Sequence, residues 1–257
     1  MHPIEHLRYV ARAQGADPAS LVEETAHALG SLRMDPSGIV VACRRIVQRH
    51  PFTGALWWLC ANVSTSSEPF EAVWELAEQI RADRTGSELA AALPDDATVA
   101  TIGDPSVIGS GLIRRGDVRV LALDVQHVAT SFVRRLERYD VDYEPVDAGT
   151  AGTVARIADA VLIEALACDS DRVIAPMGSS TLAATAAAWG TPVWLVAGVG
   201  RRLPSGMIDA MVAKIDELTA IDDAAPTDPL GVRPTATMDA WDLDVEVIPT
   251  SMISDVV

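Results

Sequence analysis

The amino-acid sequence predicts an α/β protein in which a helical N-terminal domain, residues 1–93, is followed by a doubly wound, mostly parallel sheet domain, residues 94–257. Three observations lead there. Apolar residues recur at helical spacing as far as residue 93. Short, β-branched apolar runs then begin at Ala97 and alternate with helical stretches. Hydrophobic residues make up 49% of the 257, enough for a buried core in each part.

In the first part, Asp17-Pro18 opens a helix with proline in its first turn, and Ser20 and Glu23 have the spacing of a shifted capping box. Leu21, His27, Ala28 and Leu29 carry this helix to a stop at Gly30. A second helix follows Asp35-Pro36, uses Ile39, Val40, Cys43, Ile46 and Val47, and ends near His50-Pro51, where proline disfavours helical geometry in its predecessor. Residues 52–63 are apolar nearly all round, as expected of the buried helix of the group, and Trp57-Trp58 reads as core or subunit interface. Pro69 opens the clearest amphipathic helix, with Phe70, Val73, Trp74, Ala77 and Ile80 on one face and Glu71, Glu75 and Glu78 on the other.

From Ala97 the period changes. Runs at 99–102, 118–123, 161–163 and 193–196 are nearly continuous and apolar, the pattern of parallel strands covered on both faces. Helices are predicted between them at 107–115, 130–139, 153–158, 180–189 and 204–218. A loop rich in Pro, Asp and Ala at 222–237 precedes a last strand at 245–248.

Charge and composition narrow the function classes. Lys and Arg number 20 against 36 Asp and Glu, a net charge of −16, so nucleic acid is not an expected partner: counterion release needs clustered cations facing phosphates. Acid is concentrated at 209–257, where Lys214 and Arg233 are the only basic residues. No apolar run approaches the ~18 to 20 residues of a membrane span, and Met1-His2-Pro3-Ile4-Glu5 lacks a secretory pattern. A cytoplasmic protein without a membrane partner is expected. Cys43, Cys60 and Cys168 are odd in number, widely spaced and form no CxxC, which predicts reduced thiols. His2, His6, His27 and His50 lack metal-ligand spacing, and neither a metal nor a cofactor is predicted. Lys214 is the only lysine, while arginine and alanine abound; this points to a GC-rich bacterial genome and removes P-loop chemistry.

In an open α/β sheet a ligand binds beyond the C-terminal ends of the strands, where helix N-termini offer free N–H groups to anions. Four loops qualify: Gly103-Asp104-Pro105-Ser106, Asp124-Val125-Gln126-His127, Gly149-Thr150-Ala151-Gly152-Thr153 and Met177-Gly178-Ser179-Ser180-Thr181. The last is the best phosphate candidate, since Gly178 lets the backbone approach and Ser179 and Ser180 add hydroxyl donors. Gly103, Ser106 and Thr150 are the other candidate ligand contacts. Each of these also reads as an ordinary helix cap or tight turn. His127, at a strand end, is the best-placed acid or base, Asp104 is a second acid-base candidate, and Cys168 with Asp169 could supply a nucleophile beside a carboxylate. A hydrogen-bonded structural histidine and a half-buried thiol in a polar turn are the alternatives.

Three segments carry a family resemblance. Asp159-Ala-Val-Leu-Ile, Asp171-Arg-Val-Ile-Ala-Pro-Met-Gly-Ser-Ser-Thr-Leu-Ala and Gly190-Thr-Pro-Val-Trp-Leu-Val-Ala-Gly, with the ending from Leu243 to Val257, resemble the α/β/δ subunits of translation initiation factor 2B. That family includes the ribose-1,5-bisphosphate and methylthioribose-1-phosphate isomerases. The resemblance covers 97–257 and implies a Rossmann-like domain, a preceding helical domain, and homodimers or larger assemblies. The isomerases' catalytic cysteine falls in the loop occupied here by Gly103-Asp104-Pro105-Ser106, which has no thiol. Their Gly-Ala-Asp motif aligns with Glu164-Ala165-Leu166, and only a shifted register brings Glu164 or Asp169 to the acidic position. The family's Asn-Lys-Ile-Gly-Thr phosphate loop becomes Ala175-Pro176-Met177-Gly178-Ser179, and Asp124-Val125-Gln126-His127 lacks the arginine of the Glu-Ser-Arg-Pro segment.

Aldose–ketose isomerisation needs a positioned acid and base, worth ~10² to 10⁴ in rate, and both expected groups are missing. The sequence therefore predicts a non-isomerase member that binds a small phosphorylated or anionic metabolite in a regulatory role. Two alternatives stand beside it: an isomerase with acid and base moved to Asp104, His127 or Cys168, and a protein-interaction module with an empty crevice. A guanine-exchange role is disfavoured by the inferred bacterial origin.

Overall fold

In the computed structural model the described residues are 18–32, 36–125, 129–219 and 243–257. His127 and Gln126, the 222–237 loop, and Asp17, Asp35, His2 and His6 lie outside them.

The first part is helical: α1 (Pro18–Gly30), α2 (Pro36–Arg49), α3 (Gly54–Thr65), α4 (Pro69–Arg81) and α5 (Thr85–Ala92). Helices α1 to α4 enclose one core, in which Leu21, Leu29, Ile46, Leu56, Leu59 and Val73 are buried. The expected all-round burial of α3 is met by Leu56, Leu59, Cys60 and Val63, with Trp57 and Trp58 half-buried at its edge. On α4 the burial stripe is Val73, Leu76 and Ile80, at spacings that fit 3.6 residues per turn. Trp74 corrects the predicted face: it is 46% exposed and lies on the flank, edge-on to His27 at 5.0 Å between ring centroids. Its ring closes over Gly30, where a Cβ would come within 2.7 Å of it. Helix α5 was not expected from periodicity, and it packs on α6 of the second part.

The second part runs β1 (Thr98–Ile102), α6 (Ser106–Arg115), β2 (Arg119–Asp124), α7 (Thr130–Arg138), β3 (Asp142–Asp147), a 3-10 turn (Ala148–Thr150), α8 (Ala151–Ile157), β4 (Ala160–Glu164), β5 (Ala167–Cys168) and β6 (Arg172–Pro176). It continues with α9 (Ser179–Trp189), β7 (Val193–Val196), α10 (Ser205–Thr219), β8 (Val245–Pro249) and β9 (Asp255–Val256). Six strands form a parallel sheet in the order β3-β2-β1-β4-β7-β9. Alternate residues feed two apolar layers: Ala100, Ile102, Leu121, Leu123, Val161 and Ile163 face α8 and α9. Val99, Val120, Ala122 and Leu162 face α5, α6 and α7. Burial on both faces is why these strands read as continuous apolar runs.

The strand predicted at 245–248 forms, but it joins an antiparallel sheet ordered β5-β6-β8 rather than extending the parallel one. The parallel sheet instead ends on β9, where Trp194 pairs with Asp255. The chain winds outward from β1 to β3 and then returns to place β4 on the other side of β1. That reversal makes the β1–β4 boundary the topological switch point, the usual ligand crevice of such a sheet. The two parts are joined by polar and apolar contacts: Gly54 N donates to Leu166 O at 3.1 Å, and Val199 N donates to an Asp83 carboxylate oxygen at 2.9 Å. Among the described residues no helix is long and apolar enough to cross a membrane.

Candidate functional site

At the switch point the N-terminus of α6 faces the end of β4, and the place where an anionic ligand would sit holds the Glu164 side chain. Ser106 N and Oγ donate to Glu164 Oε1 at 3.2 and 3.1 Å, while Val107 N and Ile108 N donate to Oε2 at 2.8 and 3.0 Å. The carboxylate therefore satisfies the free donors of the first turn and meets the positive end of the helix dipole. Arg201, in the loop after β7, closes the other side. Its Nη1 donates to Glu164 Oε1 at 2.7 Å and to Ala165 O at 2.7 Å, and its Nη2 reaches Ser106 Oγ at 3.3 Å. Both residues are only 4% exposed. A buried ion pair survives when its remaining donors and acceptors are hydrogen-bonded, as they are here.

The other three loops follow the same rule. The two hydrogen bonds from Ser180, N and Oγ, go to Glu246 on β8, each at 2.7 Å. Gly149 N donates to Asp147 Oδ1 at 2.7 Å, and Ala129 N to Asp124 Oδ1 at 3.1 Å. The starts of α6, α7, α9 and the 3-10 turn after β3 thus each have a carboxylate from this chain in front of them. The resulting rim is acidic, with Asp104, Asp124, Asp147, Glu164 and Glu246 against Arg135 and Arg201.

The residues predicted from sequence divide by position. Gly103, Asp104 and Gly178 come together at the crevice mouth, around a cavity of about 190 Å³ that Gly103 and Asp104 line together with Val125, Leu166, Met177 and Asp244. Gly103 has φ +79° and approaches Pro176; Gly178 has φ +92°, and a Cβ there would lie 2.7 Å from Ile102 Cδ1. Both turns require glycine. Asp104 is tied to Arg135 at 2.7 Å. Ser106 points away from this mouth toward Glu164 and Arg201. Ser179 is fully buried and donates to Pro176 O at 2.6 Å. Thr150 lies beyond β3 at the sheet edge and donates to Asp147 O at 2.5 Å. Cys168 is buried on β5, not in an open turn, and burial pushes its thiol above the ordinary value, with Arg202 and Arg201 acting against the shift.

A second cavity, of about 200 Å³, opens between the helical core and α6. Arg201, Ser106, Ser110 and Asp83 supply its polar walls, and Ala55, Ile80 and Val199 its apolar ones. Asp83 is held by Thr85 N and Oγ1 at 2.9 and 2.7 Å. Among the described residues no group of three or more His, Cys, Asp or Glu side chains is placed to hold a metal ion.

Glu164 and Arg201 are the central residues that motif reasoning missed as a pair. The available signal was an acid ending the apolar run at 161–163 and an arginine just after the run at 193–196. Two thiols also meet unannounced: Cys43 on α2 and Cys60 on α3 are buried in the same core and hydrogen-bond each other. The Cys60 and Ser64 donors hold the Cys43 thiol low against the effect of burial, and Cys60 is pushed up by that same bond and by burial.

No family model matches the sequence, and no curated protein matches it. Solved structures do match the fold. The Pyrococcus horikoshii translation initiation factor eIF-2B superposes with a TM-score of 0.77 at 16% identity, covering 99% of this chain and 94% of that one. A chain of the tetrameric eIF2B-beta2-delta2 complex from Chaetomium thermophilum gives 0.71 at 12% identity, with coverages of 99% and 88%. The eIF2B delta subunit from the same organism gives 0.68 at 14% identity, covering 100% and 95%. The chain has the fold of initiation factor 2B subunits over its whole length.

Proposed function

We propose that this protein is a non-isomerase relative of initiation factor 2B that acts as a regulatory, self-assembling protein and binds a small anionic metabolite without converting it. The observation that carries the reading is the buried Glu164–Arg201 pair at the start of α6. A phosphate cannot share that position with a carboxylate already holding three backbone donors. Neither acid-base candidate among the described residues is poised for proton transfer: Asp104 is paired with Arg135, and Cys168 is buried with a raised thiol.

The place left for a ligand is the cleft of about 200 Å³ beside Arg201. Of its lining charges Asp83 is negative and Arg201 is already paired with Glu164, which favours a sugar monophosphate or a singly charged acid over a bisphosphate. Assembly as a homodimer or larger oligomer is supported by the match to a chain taken from a tetrameric complex. The three free cysteines fit a cytoplasmic setting.

Thermal shift tests the ligand half of the proposal. A monophosphate at 100 times its Kd stabilises the protein by about 2.7 kcal/mol. Ser110→Leu, which fills the cleft from an exposed helix position beside Gly86, should remove the shift, each melting point being compared with that of the same protein without ligand. Equal shifts in both proteins would move the ligand elsewhere, and stabilisation by bisphosphates alone would overturn the charge argument.

A further inference from the structure

The surface of α6 and α7 is basic in an acidic protein. Between residues 106 and 139 lie Arg114, Arg115, Arg119, Arg134, Arg135 and Arg138, against Asp117, Asp124 and Glu137, whereas the whole chain carries −16. Three of these arginines are consumed locally. Arg115 pairs with Asp95 and Asp117, Arg119 with Glu144 at 2.6 Å, and Arg135 with Asp104. Arg114, Arg134 and Arg138 are exposed and have no ion-pair partner among the described residues. Three exposed cations without a partner among the described residues, in a chain so rich in carboxylates, are a local imbalance that folding alone does not require.

Arg114 lines a groove of about 550 Å³ between the two helices, and Arg134 and Arg138 are exposed on α7, the helix that forms its other wall. Ser106, Ser110, Ile113 and Arg114 line it from α6 at helical spacing, and Arg135 and Tyr139 line it from α7 one turn apart. Tyr139 is 59% exposed, an apolar ring with a polar tip at the groove's end. We propose that this groove docks an acidic segment of a partner protein, with one carboxylate on Arg114 in the groove, others on Arg134 and Arg138 along the exposed surface of α7, and an apolar side chain against Ile113 and Tyr139. Charge complementarity selects the occupant. A nucleic acid brings a dense line of phosphates into the field of a −16 protein, whereas a peptide brings a few carboxylates spaced like the guanidinium groups. Ser106 and Ser110 line both this groove and the metabolite cleft, so the two are separated by variants of Arg114 and Arg138, which lie outside the cleft.

The test is fluorescence anisotropy with a labelled oligoglutamate peptide ending in phenylalanine, at low and high salt. The wild-type protein should bind it, and raising salt should weaken binding because exposed charges are screened. Arg114→Glu with Arg138→Glu should weaken binding by about tenfold or more, while Arg45→Glu, an exposed arginine on α2, should not. Melting points of all variants confirm that folding is intact. Three results overturn the proposal: no binding by the wild type, equal binding by the double variant, or tighter binding of an oligothymidylate. Sedimentation supplies a fourth, a salt-sensitive self-association lost in the double variant, which would make a second copy of this chain the occupant.

Discussion

Glu164 accepts four hydrogen bonds from α6 and an ion pair from Arg201, and both charged side chains are buried. Replacing it by glutamine keeps the shape and leaves the buried guanidinium without its counter-charge. Glu164→Gln should destabilise the protein by about 3–5 kcal/mol, read from urea denaturation; a loss below 1 kcal/mol would show the pair to be incidental. Thr101 offers the opposite case, because its Oγ1 is buried without a hydrogen-bond partner among the described residues. Thr101→Val removes the stranded hydroxyl at nearly constant shape and should stabilise by about 1 kcal/mol, or roughly 2–4 °C in melting point. Asp169 gives the acid limb of stability. Burial pushes its carboxyl up, but the N–H groups of Asp171 and Arg172 and the Arg172 guanidinium prevail and hold it below the usual range. Its stabilising contribution is therefore present above the unfolded value near 4 and lost as pH falls through the lower folded one. Stability curves between pH 2 and 6 should be flatter for Asp169→Asn than for the wild type. At this scale the sequence was only partly legible: Ser106, Ser179 and Ser180 were rightly placed at helix starts, yet the acids in front of two of those starts come from distant strands. Glu246 reaches Ser180 because β8 pairs with β6, and Arg201 reaches Glu164 because β7 lies beside β4. No local pattern encodes either encounter.

Elements follow the same division between local and distant causes. The helices carry their own signals, and α9 ends at Gly190 with φ +74° as a left-handed cap. Strands β1, β2, β4 and β7 were readable because both faces are buried. Strand β3 was not, since Asp142, Glu144, Pro145 and Asp147 leave it polar at the sheet edge, where one side needs no partner. Strands β5 and β6 were hidden because they are short and belong to a second sheet that forms only when β8 returns to them. Two glycines test how elements dock. At Gly54 a Cβ would run into the Leu166 carbonyl oxygen, so Gly54→Ala should push α3 from β5 and shift the near-UV spectrum of Trp57 and Trp58. Gly178→Ala forces a left-handed conformation and should cost about 1–2 kcal/mol before its clash with Ile102 is counted. An unchanged melting point in either variant would contradict the packing described.

For the whole molecule, the alternation of strand and helix after Ala97 was sufficient to foresee a doubly wound sheet, and the helical part before it was equally plain. What the alternation could not encode is the content of the crevice, where the starts of α6, α7, α9 and the 3-10 turn after β3 are each met by one of the chain's own acids. A fold shared with initiation factor 2B subunits thus presents a filled anion position at its switch point. Light scattering at micromolar concentration should find species larger than a monomer, in keeping with the proposed assembly; a monomer would remove that part of the account. The most direct measurement follows ribose 1,5-bisphosphate with the purified protein by phosphorus NMR, recording both line broadening and product signals. The account predicts sharp, unshifted resonances and no product, because Glu164 and Arg201 already occupy the phosphate's place. Broadened resonances with a growing ketose signal would contradict it.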